Sequence, residues 1–434
     1  MNILLLFGVL AQTQQLTIHD AVRSALANHP AVAVAEARVA RSGYVTAELR
    51  ATRMPQLNLE SSINRFQEPM VVAPLHGFDP SRPPVFDRTL AQGAVALNYT
   101  LLDMGRGDRI TRAVRLTEAA GAEVDVTRAQ VISETVRAYL RVRSAEDMRD
   151  AHDKRVTALQ RERERAAQLV EQGRAARVVL LRAEAALSAA RADAVGAQAE
   201  LDDAYHELGR LLAQPASALR AVQLPAVRVR AGLDTARSAL LAAAERANPE
   251  LRALRLQREA AQAERSAARG NWWPRVQAGG RFVEYGSSST SPQGEWQAGA
   301  QLSYALFTGG ARSAVIDRAG AEVRAAEAQI ALGERRVAEA LDRTLTALTA
   351  AQSRVIALRA AVAQSEEVTR IDRLALDAGA GVQSDYLTAE ANLFSARAAL
   401  TEARAREVLA RVELARVTGE LSAEWVAVHL ENVS

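Results

Sequence analysis

Along most of the chain the apolar residues recur at helical spacing, but four short stretches alternate instead. Leu57, Leu59, Ser61 and Ile63 share one face, against Gln56, Asn58, Glu60, Ser62 and Asn64 on the other. Val95, Leu97, Tyr99 and Leu101 oppose Ala94, Ala96, Asn98 and Thr100 in the same way. In the second half Val276, Ala278, Gly280 and Phe282 form a weaker series, and Trp296, Ala298, Ala300, Leu302, Tyr304 and Leu306 a clear one. A period of two over about ten residues predicts strand. About ten tilted residues is also what a transmembrane strand needs. Long Ala/Leu/Arg/Glu tracts flank these stretches and read as helices over 31–54, 108–172, 176–213, 250–273, 312–378 and 383–420. A helix over 108–172 is roughly 100 Å long, and 31–54 with 176–213 nearly match it end to end. Val124, Val131, Ala138 and Ala145 repeat by heptads, as close helix packing requires.

The order of elements is written twice. Pro30 and Pro55 are spaced as Pro249 and Pro274 are, with His29 falling on Asn248, so the stretch within 27–60 is echoed within 247–280. LNYTLLDMGRG (97–107) is echoed by LSYALFTGGAR (302–312). EQGRAARVVLLRAEAAL (171–187) is echoed by DAGAGVQSDYLTAEANL (377–393), which sets Gly173 on Gly379. Internal repetition of this kind defines the architecture. We read a first repeat over 16–213 with a β-hairpin at 55–102. A linker follows at 214–232, then a second repeat over 233–420 with a hairpin at 274–306 and a glycine turn near 379, and a tail at 421–434.

Composition narrows the class. Aromatics are only 4% of the chain, and the basic count of 54 contains a single lysine, Lys154. The arginines alternate with acids at helical spacing and are not interleaved with aromatics, so they predict solvated helix faces and no nucleic-acid partner. With no cysteine there is no disulfide, thiolate metal site or thiol nucleophile. The apolar run Ile3–Ala11 resembles a secretory signal peptide over 1–11, without the usual basic lead. No stretch approaches the roughly 20 apolar residues of a membrane helix. Phosphate-loop, metal-site and nucleophile patterns are absent; Ser287, Ser288 and Ser289 read as loop-tip residues and Glu366–Glu367 as solvated charge. The expectation is a protein that is not an enzyme and needs no cofactor.

Eleven of the 18 aromatics fall in 66–99 and 272–307, near the ends of the alternating segments. Tyr99, Trp272, Trp273, Tyr285, Trp296, Tyr304 and Phe307 are placed as an interfacial girdle in outer-membrane lipid would be. Four strands do not close a barrel, and open edges are not tolerated in hydrocarbon. The chain must therefore lend its strands to an oligomer, for which the physics allows two, three or four copies. The loop 67–91 is long and proline-rich, and reads either as a cover for the barrel mouth or as a receptor surface.

With the two-fold repeat, the Asn/His-Pro helix entry, YTLLDMGRG, YALFTGGAR and two glycine breaks together, the chain resembles the TolC-type outer-membrane efflux protein family over roughly 16–420. The resemblance implies a mostly α fold with transmembrane β: a homotrimer whose 12-stranded barrel continues into a long coiled-coil α-barrel in the periplasm. It implies a periplasmic adaptor protein and an inner-membrane pump as partners, and a passive exit duct for small molecules as function. An exit duct of type I protein secretion or of metal efflux shares the fold; a non-membrane coiled-coil scaffold is the reading from a different class. The resemblance also implies an acidic gate at the periplasmic end. Asp385 matches it, Thr388 stands where a second aspartate can occur, and Val179 is the first-half equivalent. Gly381 and Leu376 replace the family's arginine and tyrosine. Gly173, Gly379 and Gly381 mark the tip turns where an adaptor would dock. Asp385 equally suits a helix N-terminus, where the dipole favours an acid.

Overall fold

The computed structural model describes residues 15–72, 75–230 and 236–433; the expected signal segment 1–11 lies outside them. The repeat is realised almost length for length. Helices α1 (Ile18–Asn28) and α6 (Arg237–Ala247) have 11 residues each, and α2 (Pro30–Ala51) and α7 (Pro249–Gly270) have 22 each. The long helices α3 (Arg106–Glu171) and α8 (Ala311–Asp377) have 66 and 67 residues, and α4 (Arg177–Leu212) and α9 (Gln383–Thr418) have 36 each.

The proline entries follow from local chemistry. Proline suits the first helical position, where its missing N–H is no loss. The preceding residue supplies the cap. The Asn248 side-chain oxygen accepts from the backbone N–H of Glu250 (2.9 Å) and Leu251 (3.2 Å), while its amide donates to the Val417 carbonyl at 2.9 Å. In the first repeat the His29 ring nitrogen lies 3.2 Å from the Ala31 amide.

By residue proximity the chain forms two compact units, each drawn from both repeats. Of the described residues, one holds those up to Glu36, those within Ala122–Arg252 and those from Leu332 on. Its main core gathers Ile18, Val22, Tyr139, Leu208, Leu219, Trp425 and Val426. The Tyr139 hydroxyl is 2.9 Å from the carbonyls of both Leu16 and Pro225, and burial pushes its pKa up. The stretches expected as bare linker and tail are structured here. They supply α5 (Ala216–Arg220) and β3 (Ala226–Val229), then α10 (Ala423–His429) and β6 (Leu430–Val433), and β3 pairs antiparallel with β6. Leu219, Leu224, Trp425 and Val426 bury themselves in the core, which is why these segments are ordered.

The other unit, Ala37–Gly121 with Ala253–Ala331, carries a four-stranded antiparallel sheet of order β1-β2-β4-β5. Its strands are β1 (Gln56–Arg65), β2 (Thr89–Leu102), β4 (Arg275–Gly286) and β5 (Gln293–Ser303). The register puts Leu59, Val95, Phe282 and Trp296 in one row and Asn58, Ala96, Arg281 and Gln297 in the next. Three details depart from expectation. β2 begins at Thr89, inside the stretch read as loop 67–91. A bulge between Thr100 and Leu102 lets Leu102, not Leu101, oppose Val276. β5 ends at Ser303, so Tyr304, Leu306 and Phe307 follow the strand instead of extending it.

Candidate functional site

The two glycine breaks fold into the same turn. Gly173 and Gly379 take φ of +70° and +74°, the left-handed region in which a Cβ is strained. The Gly173 amide donates to the Val170 carbonyl (3.0 Å), and the amides of Arg174 (2.8 Å) and Ala175 (3.1 Å) both donate to Leu169. In the second half the Gly379 amide donates to Leu376 (3.1 Å), and those of Ala380 (3.0 Å) and Gly381 (2.9 Å) to Ala375. Every bond has its counterpart. Gly381 is a glycine for a different reason: a Cβ there would meet the Leu376 nitrogen at 2.8 Å.

The second turn is tied to α3 by polar side chains. The Arg165 guanidinium pairs with Asp377 at 2.9 Å and donates to the Leu376 carbonyl at 3.2 Å. The Gln383 amide donates to Glu162 at 2.7 Å. Sequence reasoning missed Arg165 and Glu162. A usable signal was present in the repeat, because their second-half counterparts are Ile371 and Val368, which are exposed.

Asp385 lies exposed in the first turn of α9. It does not cap the helix: Val382 is the cap residue and makes no side-chain bond. The Ser384 hydroxyl donates to Asp385 at 3.3 Å, while the Thr388 hydroxyl donates to the Ser384 carbonyl at 2.8 Å. Val179 occupies the equivalent place in α4 and is half-buried. Deeper along α9, burial raises the pKa of Glu390, against the opposing pull of Arg155 and Arg373. Its first-half counterpart Glu184 is ion-paired with Arg163 at 3.3 Å. Among the described residues no group of three or more His, Cys, Asp or Glu is placed to hold a metal, and no helix is long and apolar enough to cross a membrane.

On the sheet, the apolar row is left bare by the chain itself: Leu59 is 81% exposed and Trp296 73%. Leaving such side chains in water forgoes about 1.5–3 kcal/mol each. The residues expected as a girdle do not form one set. Trp272 and Tyr304 flank the Arg312 guanidinium, which lies 5.4 and 4.8 Å from their ring centres. Trp273, Phe307 and Tyr99 are exposed. Tyr285 is not a girdle residue: it points to the opposite face and is 7% exposed, packed with Phe86, Leu90 and Val283. Position near a strand end suggested the girdle, but strand parity decides the face.

The profile of the outer membrane efflux protein family matches residues 21–214 and 240–420. Among solved structures, the outer membrane protein VceC of Vibrio cholerae is 19% identical with a TM-score of 0.77, covering 93% of this chain and 96% of that one. The CmeC outer membrane channel of Campylobacter jejuni is 15% identical with a TM-score of 0.80, covering 95% and 88%. A membrane protein from Pseudomonas aeruginosa is 21% identical with a TM-score of 0.79, covering 94% and 91%. At these identities the likeness establishes the fold. No curated protein matches the chain by sequence.

Proposed function

This chain belongs to the outer membrane efflux protein family, and we propose that it is the passive outer-membrane exit duct of a tripartite system exporting small molecules. One observation carries the reading: a four-stranded sheet with a bare apolar face and two open edges, β1 and β5. In hydrocarbon each unpaired backbone group costs several kcal/mol, so the edges must be closed by other copies. β1 and β5 run antiparallel to one another. The β5 edge of one copy therefore meets β1 of the next in the sense an all-antiparallel barrel requires. Three copies give twelve strands, with the apolar row to lipid and the row of Asn58, Arg281 and Gln297 to water.

The glycine turns are then the periplasmic tips, where an adaptor protein coupled to an inner-membrane pump docks. The exposed Val178, Leu181 and Val382 beside the turns offer it apolar contact. Three copies of Asp385 ring the path and favour cations, as acidic rings do in cation channels. Purified protein in planar bilayers should conduct with cation preference, and Asp385→Asn should abolish the preference while conduction remains. A protein that never conducts sinks the duct; unchanged selectivity in the variant sinks the ring alone.

A further inference from the structure

Residues 75–88, between β1 and β2, do not stand free in solvent. Phe86 is fully buried and, with Leu75, covers Leu90, Ala94, Val283 and Tyr285. The register sets Ala94 against Glu60 and Val283, and Tyr285 against Gln92 and Gln293. These residues share the face of Arg281 and Gln297, not that of Leu59 and Trp296. β4 turns apolar on its polar face at Val283 and Tyr285, where the segment lies; farther along, the same face carries Arg281 and Gln277. A segment that merely reached outward would leave those two side chains uncovered.

Hydrogen bonds hold it in place. Met70 and Phe86 exchange backbone bonds of 3.0 and 2.8 Å. Four further bonds run to the β4–β5 hairpin. The His76 amide donates to Glu295 (3.0 Å), the Asp87 amide to the Ser287 hydroxyl (3.3 Å), the Ser288 hydroxyl to the Asp87 carboxylate (2.6 Å) and the Thr290 hydroxyl to the Val85 carbonyl (2.6 Å). Phe86 and Tyr285 meet edge to face, 6.2 Å between ring centres.

We propose that Leu75–Arg88 is the size-limiting constriction of the barrel mouth, distinct from the Asp385 ring at the other end of the duct. One copy from each subunit narrows the mouth from inside, anchored by Phe86 and latched through Asp87, and sets the largest solute that passes. This rests on the barrel reading, since only closure turns the polar face of the sheet into a lumen.

The chain has no cysteine, so single introduced thiols report access cleanly. Gln277→Cys lies on the polar face beyond the segment and Leu59→Cys on the apolar face. Cells expressing either are treated from outside with a small methanethiosulfonate and with a polyethylene-glycol maleimide of several kilodaltons. The small reagent should modify Gln277→Cys and the large one should not. Adding Phe86→Ser, or replacing residues 75–85 by a short Gly/Ser link, should speed the large reagent about tenfold or more, as widening a pore does. The two variants are independent, so the link replacement reports even if the serine variant assembles poorly. Equal labelling of Gln277→Cys by the large reagent with and without the segment overturns the constriction. Labelling of Leu59→Cys as fast as Gln277→Cys would instead refute the barrel, and the constriction with it.

Discussion

The turns at Gly173 and Gly379 share the backbone hydrogen bonds that reverse the chain and differ in what surrounds them. The second is tied to α3 by Arg165 and Glu162. At the corresponding places on α8 stand Ile371 and Val368, about half exposed, and the first turn's own counterparts of Asp377 and Gln383 are Glu171 and Arg177. On the proposed assembly, it is the difference between a seam inside one subunit and a seam between two. The backbone of the turn is kept because left-handed glycine makes it. The side chains diverge because one seam is closed within a subunit and the other, on the proposed assembly, between subunits. A polar tie within and an apolar strip between is the arrangement that follows.

The comparison breaks most visibly at the glycines. Gly173→Val and Gly379→Val each force a β-branched residue to positive φ, at about 1–3 kcal/mol. Thermal unfolding should fall by similar amounts in both, and a large loss in only one would mean the turns are not equivalent. Next in size, Gly381→Ala drives a Cβ into the Leu376 backbone and should cost about 1–3 kcal/mol. Its mirror, Ala175→Gly, should cost below about 1 kcal/mol, the ordinary entropic loss.

The polar anchor is smaller still. A double-mutant cycle on Arg165→Ala and Asp377→Ala should give a coupling of about 0.2–1 kcal/mol, since both side chains are partly exposed. The counterpart pair, Ile371→Ala with Glu171→Ala, should give none. Smallest is the effect of Glu390. Its folded pKa is raised by burial, so its favourable contribution is full below the ordinary carboxylate range and is lost as pH rises through the raised value. Glu390→Gln should therefore raise the melting temperature at neutral pH and change it less in acid.

Much of this was legible in the sequence, and the reasons are local. Strand alternation needs only the chain's own parity, so the rows through Leu59 and Trp296 could be read directly. The glycine turns were legible because the second copy repeats the first. Arg165 was not, since an arginine among 52 others carries no mark until its counterpart is seen to be Ile371. Tyr285 was misjudged because strand-end position was weighed above parity. Phe86 escaped because a proline-rich connection gives no period from which to infer burial. The β3–β6 pairing joins segments about two hundred residues apart, and neither has a pattern that names the other.

On the proposed assembly, the bare apolar row and open edges of one sheet are completed by two further copies. Native mass measurement of the protein, extracted from outer membranes in mild detergent, tests it most directly. One species at about three times the 46.7 kDa chain is expected. A monomer, or a pool released without detergent, would contradict it.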